Sequence, residues 1–506
     1  TGITAGSKVK INLSSEEFDT RLTIKDSSSN QVLFENDDID ISEDNYNSQL
    51  ELTIEGGANY KIEVDSASVD EFGKYDLTIT PLSNSGGGGT NNFGVTLQDT
   101  TLNNLLSNKT GLNRGNILEF FTTARQDGID TTEKADLRTL VDKANVFQLS
   151  DQVKFLTDKV LTDTTDNMAA ADFDTLVEQY FFGTKRATPN YVGQGDSARG
   201  KAANNTTNFI YKTLEGDFFG SNPGDGRIKG QPRIRDINQG GFGNCVYIAS
   251  LGALFPIPQL PGDVNKNSNF LNGFITSNGK ETYNGKEYES WTFRFYNQSN
   301  PYYVTVDRQV ITKKDQLHGA YRGGENGKNS LGNDGQAIWV PIAEKAYAQF
   351  KEEIDGGKSG KSGYTLTGNG DSTYGALKFI TGQQSPTWLG SYGNLQGINY
   401  SNITSMTFDA LKSAVDSGKI VVMGVSERTD KLVGGHAFTL TSAYVKDGQE
   451  RIVVRNPWGQ DAQQGMSTDD KPQDGFIDLS YEEFNDANLD VAIFERSTST
   501  KVSKVV

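Results

Sequence analysis

The stretch QGGFGNCVYIASLGAL, Gln239 to Leu254, holds the only cysteine in 506 residues, and its reading decides what kind of protein this is. Three glycines precede the thiol and an apolar run follows it. VYIASLGAL reads as a buried helix, with Cys245 at its start and Asn244 at the N-cap position. A helix N-terminus carries about half a positive charge, and a neighbouring imidazolium adds to it. Together they bring a thiol pKa from about 8.5 into the range of about 3.5–7.5, so the stretch predicts a thiolate at neutral pH. The glycines let backbone amides approach a substrate closely and turn toward a developing oxyanion. Gln239, six positions before Cys245, brings a side-chain amide able to donate a second hydrogen bond there.

Chemistry at a thiol needs a base, and the chain has two histidines. His318 lies in LHGAYRGGENGKNSLGNDG, which reads as a mobile glycine-rich loop that cannot hold an imidazole in register. His436 opens the strand-like HAFTLTSAYV directly after Gly434 and Gly435, and a strand end is a rigid mount. Asn456 follows the next strand-like run, RIVVRNPWG, and is the group to orient the imidazole. An antiparallel hairpin turning at Lys446-Asp447-Gly448 sets His436 and Asn456 side by side.

These residues resemble the calpain family of cysteine proteases. QGGFGNC is similar to its Gln-Gly-x-x-Gly-Asp-Cys signature, and GGHAF and RNPWG are similar to its His and Asn motifs, in the same order. WVPIAEKAYAQF from Trp339 and STYGALKFITG from Ser372 agree, so the resemblance spans about 230 to 490. The papain family shares the Gln-to-Cys spacing and an Asn-x-Trp-Gly, but the proline of NPWG and the EKAYA segment favour calpain. The resemblance implies Cys245 as nucleophile, His436 as base and then acid, Asn456 as orienter, Gln239 with the Cys245 amide as oxyanion hole, and Trp458 as apolar shield. It also implies a two-lobed α+β core with the cleft between lobes, Cys245 on the first and His436 with Asn456 on the second. Asn244 departs from the usual Asp and Val246 from the usual Trp. The implied activity is endopeptidase cleavage of protein or peptide substrates through a thioester. The alternative is an inactive peptidase-like module used for binding.

Neither cofactor nor metal is expected for the chemistry itself. The family binds calcium in each core lobe, and here the implied acids are incomplete. Asp236 is present, but Ala337 and Ala462 stand where two others would be, and Asp-Gly-Glu survives as Asp474-Gly475-Phe476. Calcium takes six to eight oxygens, several from carboxylates, so a calcium switch in the core is not expected unless Asp461, Asp469 or Asp470 substitute. Phe476 and Ile234 likewise replace the family's Glu and Arg latch between lobes, so both halves of it read as lost.

The length suggests about three domains. Residues 1–82 alternate apolar and polar positions in short runs and read as a β-sandwich. Phe18-Asp19-Thr20, Asn36-Asp37-Asp38 and Gly73-Lys74-Tyr75 resemble the pre-peptidase C-terminal domain, an accessory of secreted bacterial proteases. The acidic loop at Asp37, Asp38, Asp40 and Asp44 offers oxygen ligands suited to calcium without the spacing of an EF-hand, a solvated loop being the default. SNSGGGGTNN, 83–92, is a flexible linker. Residues 93–186 read as a helical bundle with Asn113, Thr131 and Ser150 as caps. The first catalytic lobe is taken as 187–368, entered through an irregular Gly/Asn/Ser-rich segment over 187–230, and the second as 369–506.

A net charge of −17, from 48 basic and 65 acidic residues, argues against nucleic acid or an anionic membrane surface as partner. No apolar run of about 18 residues is present to span a bilayer. One cysteine excludes an internal disulfide. A secreted or cell-envelope bacterial setting is favoured, with the cytoplasm left open, and no partner for the N-terminal domains can be read.

Overall fold

Alternating side chains build the N-terminal strands. In β1 (Lys8–Ser14), Val9, Ile11 and Leu13 are buried while Lys10 and Asn12 are half-buried, the period-two pattern of a sheet with one covered face. The structure, a computed structural model, describes residues 8–15, 20–27, 32–36, 47–53, 60–66, 75–82, 93–126, 128–193, 206–221, 232–255, 273–322, 329–389, 403–404, 407–461, 474–487 and 489–495. The acidic loop at 37–44 and the glycine linker at 83–92 lie outside them. With β2 (Thr20–Asp26), β3 (Val32–Asn36), β4 (Ser48–Thr53), β5 (Tyr60–Ser66) and β6 (Asp76–Leu82), two three-stranded antiparallel sheets form, in orders β4-β1-β6 and β3-β2-β5. They share one apolar cluster, in which Leu52 joins the β1 residues against Leu22 and Ile24 of β2.

Residues 90–496 form a second compact unit. It opens with helices α1 (Thr100–Ser107), α2 (Arg114–Ala124), α3 (Thr131–Asp142), α4 (Asp151–Asp163) and α5 (Ala170–Tyr180). Their apolar faces close on Phe120, Phe121, Leu140, Phe147, Phe173 and Phe181. Asn113 and Ser150 cap α2 and α4 as expected. Thr131 does not cap α3: Asp130 does, its carboxylate accepting from the Thr132 and Glu133 amides while Glu133 reaches back in a capping box. An Asp one residue earlier, paired with Glu at the third helical position, outcompetes a hydroxyl.

The segment expected to be an irregular lead-in carries β7 (Asn190–Val192), β8 (Thr206–Asn208) and β9 (Ile210–Thr213). Phe209, buried between β8 and β9, gives these strands the apolar anchor that the Gly/Asn/Ser-rich composition hides. Next comes α6 (Cys245–Ala253), every residue of which is buried. β10 (Ile275–Tyr283), β11 (Lys286–Asn297) and β12 (Asn300–Asp307) form an antiparallel sheet. It meets the helices through Arg114 Nη2 on Glu281 (2.8 Å) and the stacked pair Phe182–Tyr288 (4.3 Å). β13 (Gln309–Lys313) pairs with β9 and with β14 (Gln316–Leu317). The long α7 (Trp339–Asp355) then runs buried from Trp339 to Phe350, and α8 (Gly375–Thr381) follows it.

The remaining strands, β15 (Thr387–Leu389), β16 (Ile403–Thr404), β17 (Ile420–Val425), β18 (His436–Lys446), β19 (Gln449–Arg455), β20 (Phe476–Ser480) and β21 (Leu489–Phe494), make one sheet in the order β16-β15-β21-β17-β18-β19-β20. Helix α9 (Phe408–Asp416) covers one face, and α10 (Tyr481–Asn485) lies before β21. Asp447 and Gly448 both have positive φ (51° and 77°), the two-residue turn that matches strand twist, so β18 and β19 form the expected hairpin. Helix α6 packs against β18 closely enough that a Cβ on Gly252 would lie 2.5 Å from Thr439 Oγ1, whose hydroxyl donates to Ala249 O (2.6 Å). That contact seats α6 on the first half of β18. Among the described residues no helix is long and apolar enough to cross a membrane.

Candidate active site

Cys245 begins α6 and His436 begins β18. The two meet because Ala437, next to His436, directs its amide at the Cys245 sulfur, as do the amides of Val246 and Cys245 itself. His436 Nε2 lies 3.0 Å from Asn456 Oδ1. The orientation of the Asn456 amide is settled by its neighbours. Oδ1 also accepts from the Trp458 amide (3.0 Å), and Nδ2 donates to Asp461 O (3.3 Å). With an oxygen facing it, Nε2 must carry the proton, which leaves the Nδ1 lone pair free as a base. Trp458 covers the ring at 4.4 Å and 38°, and Phe438 meets it edge-on at 5.0 Å.

Gln239 is anchored at both ends. Its amide donates to Pro457 O (2.7 Å), and its side-chain Nε2 donates to Phe242 O (2.6 Å). The carbonyl at Phe242 fixes which end is nitrogen, so one Nε2 hydrogen is spent in the loop and one remains. The structure therefore brings Cys245, His436, Asn456, Gln239 and Trp458 to one place.

Four expectations need correction. Cys245 is 9% exposed and His436 7%. Burial pushes the thiol up despite the three amides aimed at it, and burial drops the imidazole to about 4 despite the Asn456 hydrogen bond. A standing thiolate set by the helix end is not supported. Burial favours the neutral form of each group. Secondly, Asn244 occupies the N-cap position but does not cap: its Nδ2 donates to Glu344 Oε1 (2.6 Å).

Thirdly, His318 is held in register. Its ring packs on Phe209 and Phe242, and its carbonyl accepts from the Gly241 amide (2.6 Å). A Cβ on Gly241 would stand 2.8 Å from that ring, so the glycines of QGGFG make room for this segment. The imidazole faces aromatic rings, held there by packing that lies outside its own glycine-rich neighbourhood.

Fourthly, an ion pair stands near the lost latch, on Arg235, one residue from Ile234, and Asp474, two residues from Phe476. Arg235 Nη2 pairs with Asp474 Oδ2 at 3.0 Å, joining the Gln239 segment to the sheet. The buried Arg455 donates to Asn456 O (2.5 Å) and Ile237 O (3.2 Å), with Asp474, Asp461 and Asp236 around it. Arg455 stands inside the RNPWG motif, and a reading confined to its Asn and Trp misses it; a charged residue ending an otherwise apolar strand is the available signal.

Two buried groups make opposite demands on pH. His436, dropped to about 4 from an ordinary 6.5, cannot take the proton that the unfolded chain binds, so stability is full above pH 6.5 and falls toward pH 4. Glu344, raised by burial to about 7 from 4.5, keeps a proton that the unfolded chain releases, so its contribution falls as pH rises from 4.5 to 7. Each swing is about 3 kcal/mol. Between pH 4.5 and 6.5 they oppose each other. Relative to the unsubstituted chain, His436→Gln is expected to lose stability with rising pH over that window and Glu344→Gln to gain it, read from urea midpoints. Slopes of the same sign would contradict the burial of one of the two.

Comparison with known proteins agrees with the geometry. A family model described as calpain family cysteine protease matches residues 227–483, just over half of the chain. Calpain-8 of Mus musculus is 25% identical over 301 residues, covering 58% of this chain and 36% of the relative. The calpain-2 catalytic subunit of Bos taurus is 26% identical over 262 residues (50% and 32%), and calpain-5 of Caenorhabditis elegans 22% over 308 (53% and 42%). The chain thus spans roughly a third of the length of the first of these relatives. On the matched core and its motifs, the chain belongs to the calpain family of cysteine proteases.

Proposed function

We propose that the whole chain is a cysteine endopeptidase, with Cys245 as nucleophile, His436 as general base and acid, Asn456 as orienter, Gln239 with the Cys245 amide as oxyanion donors, and Trp458 as shield, set in the cleft of a two-lobed core. The observation that carries this is the hydrogen bond from His436 Nε2 to Asn456 Oδ1, which leaves Nδ1 as a base beside a thiol approached by the Ala437 amide. The sulfur attacks the peptide carbonyl as its proton passes to Nδ1, and negative charge on the carbonyl oxygen meets the Cys245 N–H and the remaining Gln239 Nε2 hydrogen. Collapse expels the amine, which takes the proton from His436 and leaves a thioester. Water, deprotonated by the same nitrogen, then releases the acid. Digestion of an unstructured protein with the cut sites mapped tests the reading; intact substrate after prolonged incubation would refute it.

The core is competent without calcium in this reading. The carboxylates that the family resemblance would assign to the metal are engaged by protein cations and donors. Asp236 Oδ2 accepts from Trp339 Nε1 (3.0 Å) and the Arg233 amide (2.9 Å), and Asp474 pairs with Arg235. Ala337 supplies no ligand, Phe476 puts a ring against Arg455, and Ala462, Asp469 and Asp470 lie outside the described residues. Among the described residues the set does not fit a six- to eight-oxygen site. Guanidinium groups instead supply positive charge where the two halves of the core meet. Cleavage is expected to proceed at the same rate in excess chelator as in millimolar calcium. A rate seen only with calcium would overturn this and point to the substitute aspartates.

A further inference from the structure

Under the loop that carries Cys245 lies a carboxylate that the scheme above leaves unused. Glu344, in α7 and 2% exposed, spends its oxygens on two uncharged donors, Asn244 Nδ2 on Oε1 (2.6 Å) and the Ala320 amide on Oε2 (2.8 Å). Asn244 immediately precedes Cys245. Ala320 ends the 318–320 segment that backs the oxyanion loop, where the Gly241 amide bonds His318 O and a Cβ on Gly240 would fall 1.5 Å from Gly319 O. Gly319 is itself pressed on the carboxylate, for a Cβ there would come 1.8 Å from Glu344 Oε2. Asn244 is buried, makes no cap, and its Oδ1 has no hydrogen-bond partner among the described residues, so Glu344 is what orients this side chain.

We propose that Glu344 is a positioning residue: one oxygen holds Asn244, the other holds Gly319–Ala320, and together they set Cys245 and the Gln239 loop against His436. This rests on the cysteine-peptidase reading. Asn244, where the family signature has Asp, gives this carboxylate a neutral donor. A second carboxylate at 2.6 Å in a buried place would have to share a proton with Glu344, whereas Asn supplies a hydrogen.

The donor–acceptor order can be reversed, and that is the test. In full-length Glu344→Gln, the new amide nitrogen meets Asn244 Nδ2 as a like donor, and relief requires Asn244 to turn its amide over and give up the orientation that Glu344 sets. In Asn244→Asp, two carboxylates face each other. In the double variant, Glu344→Gln with Asn244→Asp, the new amide nitrogen donates to the new carboxylate and the amide oxygen still accepts from Ala320. Each single change is expected to lower kcat about 10- to 100-fold, the cost of one unsatisfied buried group, with KM within about threefold. The double is expected to recover to within about fivefold of the unsubstituted chain. Alkylation by iodoacetamide, which reads Cys245 alone in a one-cysteine chain, should follow the same order. Losses that multiply in the double, or single variants with unchanged kcat, would overturn the proposal. Should Glu344→Gln fail to fold, a folded and reactive double supports it and an unfolded double overturns it. If the unsubstituted chain cleaves nothing, the peptidase reading fails, and the alkylation cycle still decides whether Glu344 positions the thiol.

Discussion

Cys245→Ala is expected to reduce cleavage of an unstructured protein by at least about 10⁴-fold while leaving the unfolding midpoint within a few degrees of the unsubstituted chain. The size of the loss follows from the scheme: without sulfur there is no thioester, and only binding and the oxyanion donors remain to act on attacking water. The fold survives because a helix start accepts alanine, and the side chain removed is small. The thiol receives backbone amides that keep their places whether or not sulfur is present. Undiminished cleavage would end the cysteine-peptidase reading, since the chain has no second thiol to substitute.

His436→Ala is expected to cost nearly as much, about 10³-fold or more, and to change the shape of the pH profile. Burial holds the thiol above its ordinary value, so without Nδ1 to take the proton the sulfur must be ionised by solvent. The residual rate should therefore keep climbing past about pH 9, above the range of an unperturbed thiol. His318→Ala removes packing against Phe209 and Phe242 and leaves the base in place, so a loss of about tenfold or less is expected, with no change in the profile. Equal losses and equal profiles at the two histidines would show the base to be misassigned.

Much of this is legible because local rules and tertiary outcome agree. The turn at Asp447-Gly448 announces the β18–β19 hairpin, and the hairpin sets His436 beside Asn456. A largely apolar run after Cys245 announces a helix buried on every side. What cannot be read depends on residues far apart in the chain. No sequence window shows that Gly240 and Gly241 yield room to residues 318–320, or that the family-like EKAYA segment delivers a carboxylate to Asn244. Ionisation escapes a sequence reading for the same reason. The helix end and its amides are local, but the burial that outweighs them comes from β18 packing over α6. Arg235 and Asp474, 239 positions apart, form their ion pair one and two residues from the positions that the family resemblance points to.

The central claim is that Cys245 becomes a nucleophile only through His436, in a site aligned without metal. It is tested most directly by titrating the full-length chain in excess chelator with a thiol-directed peptidyl electrophile and locating the adduct by mass spectrometry. The account predicts one equivalent bound, on Cys245, in a fast phase that disappears in His436→Ala and persists in His318→Ala. A thiol that stays unmodified until calcium is supplied, or that reacts equally fast without His436, would contradict it.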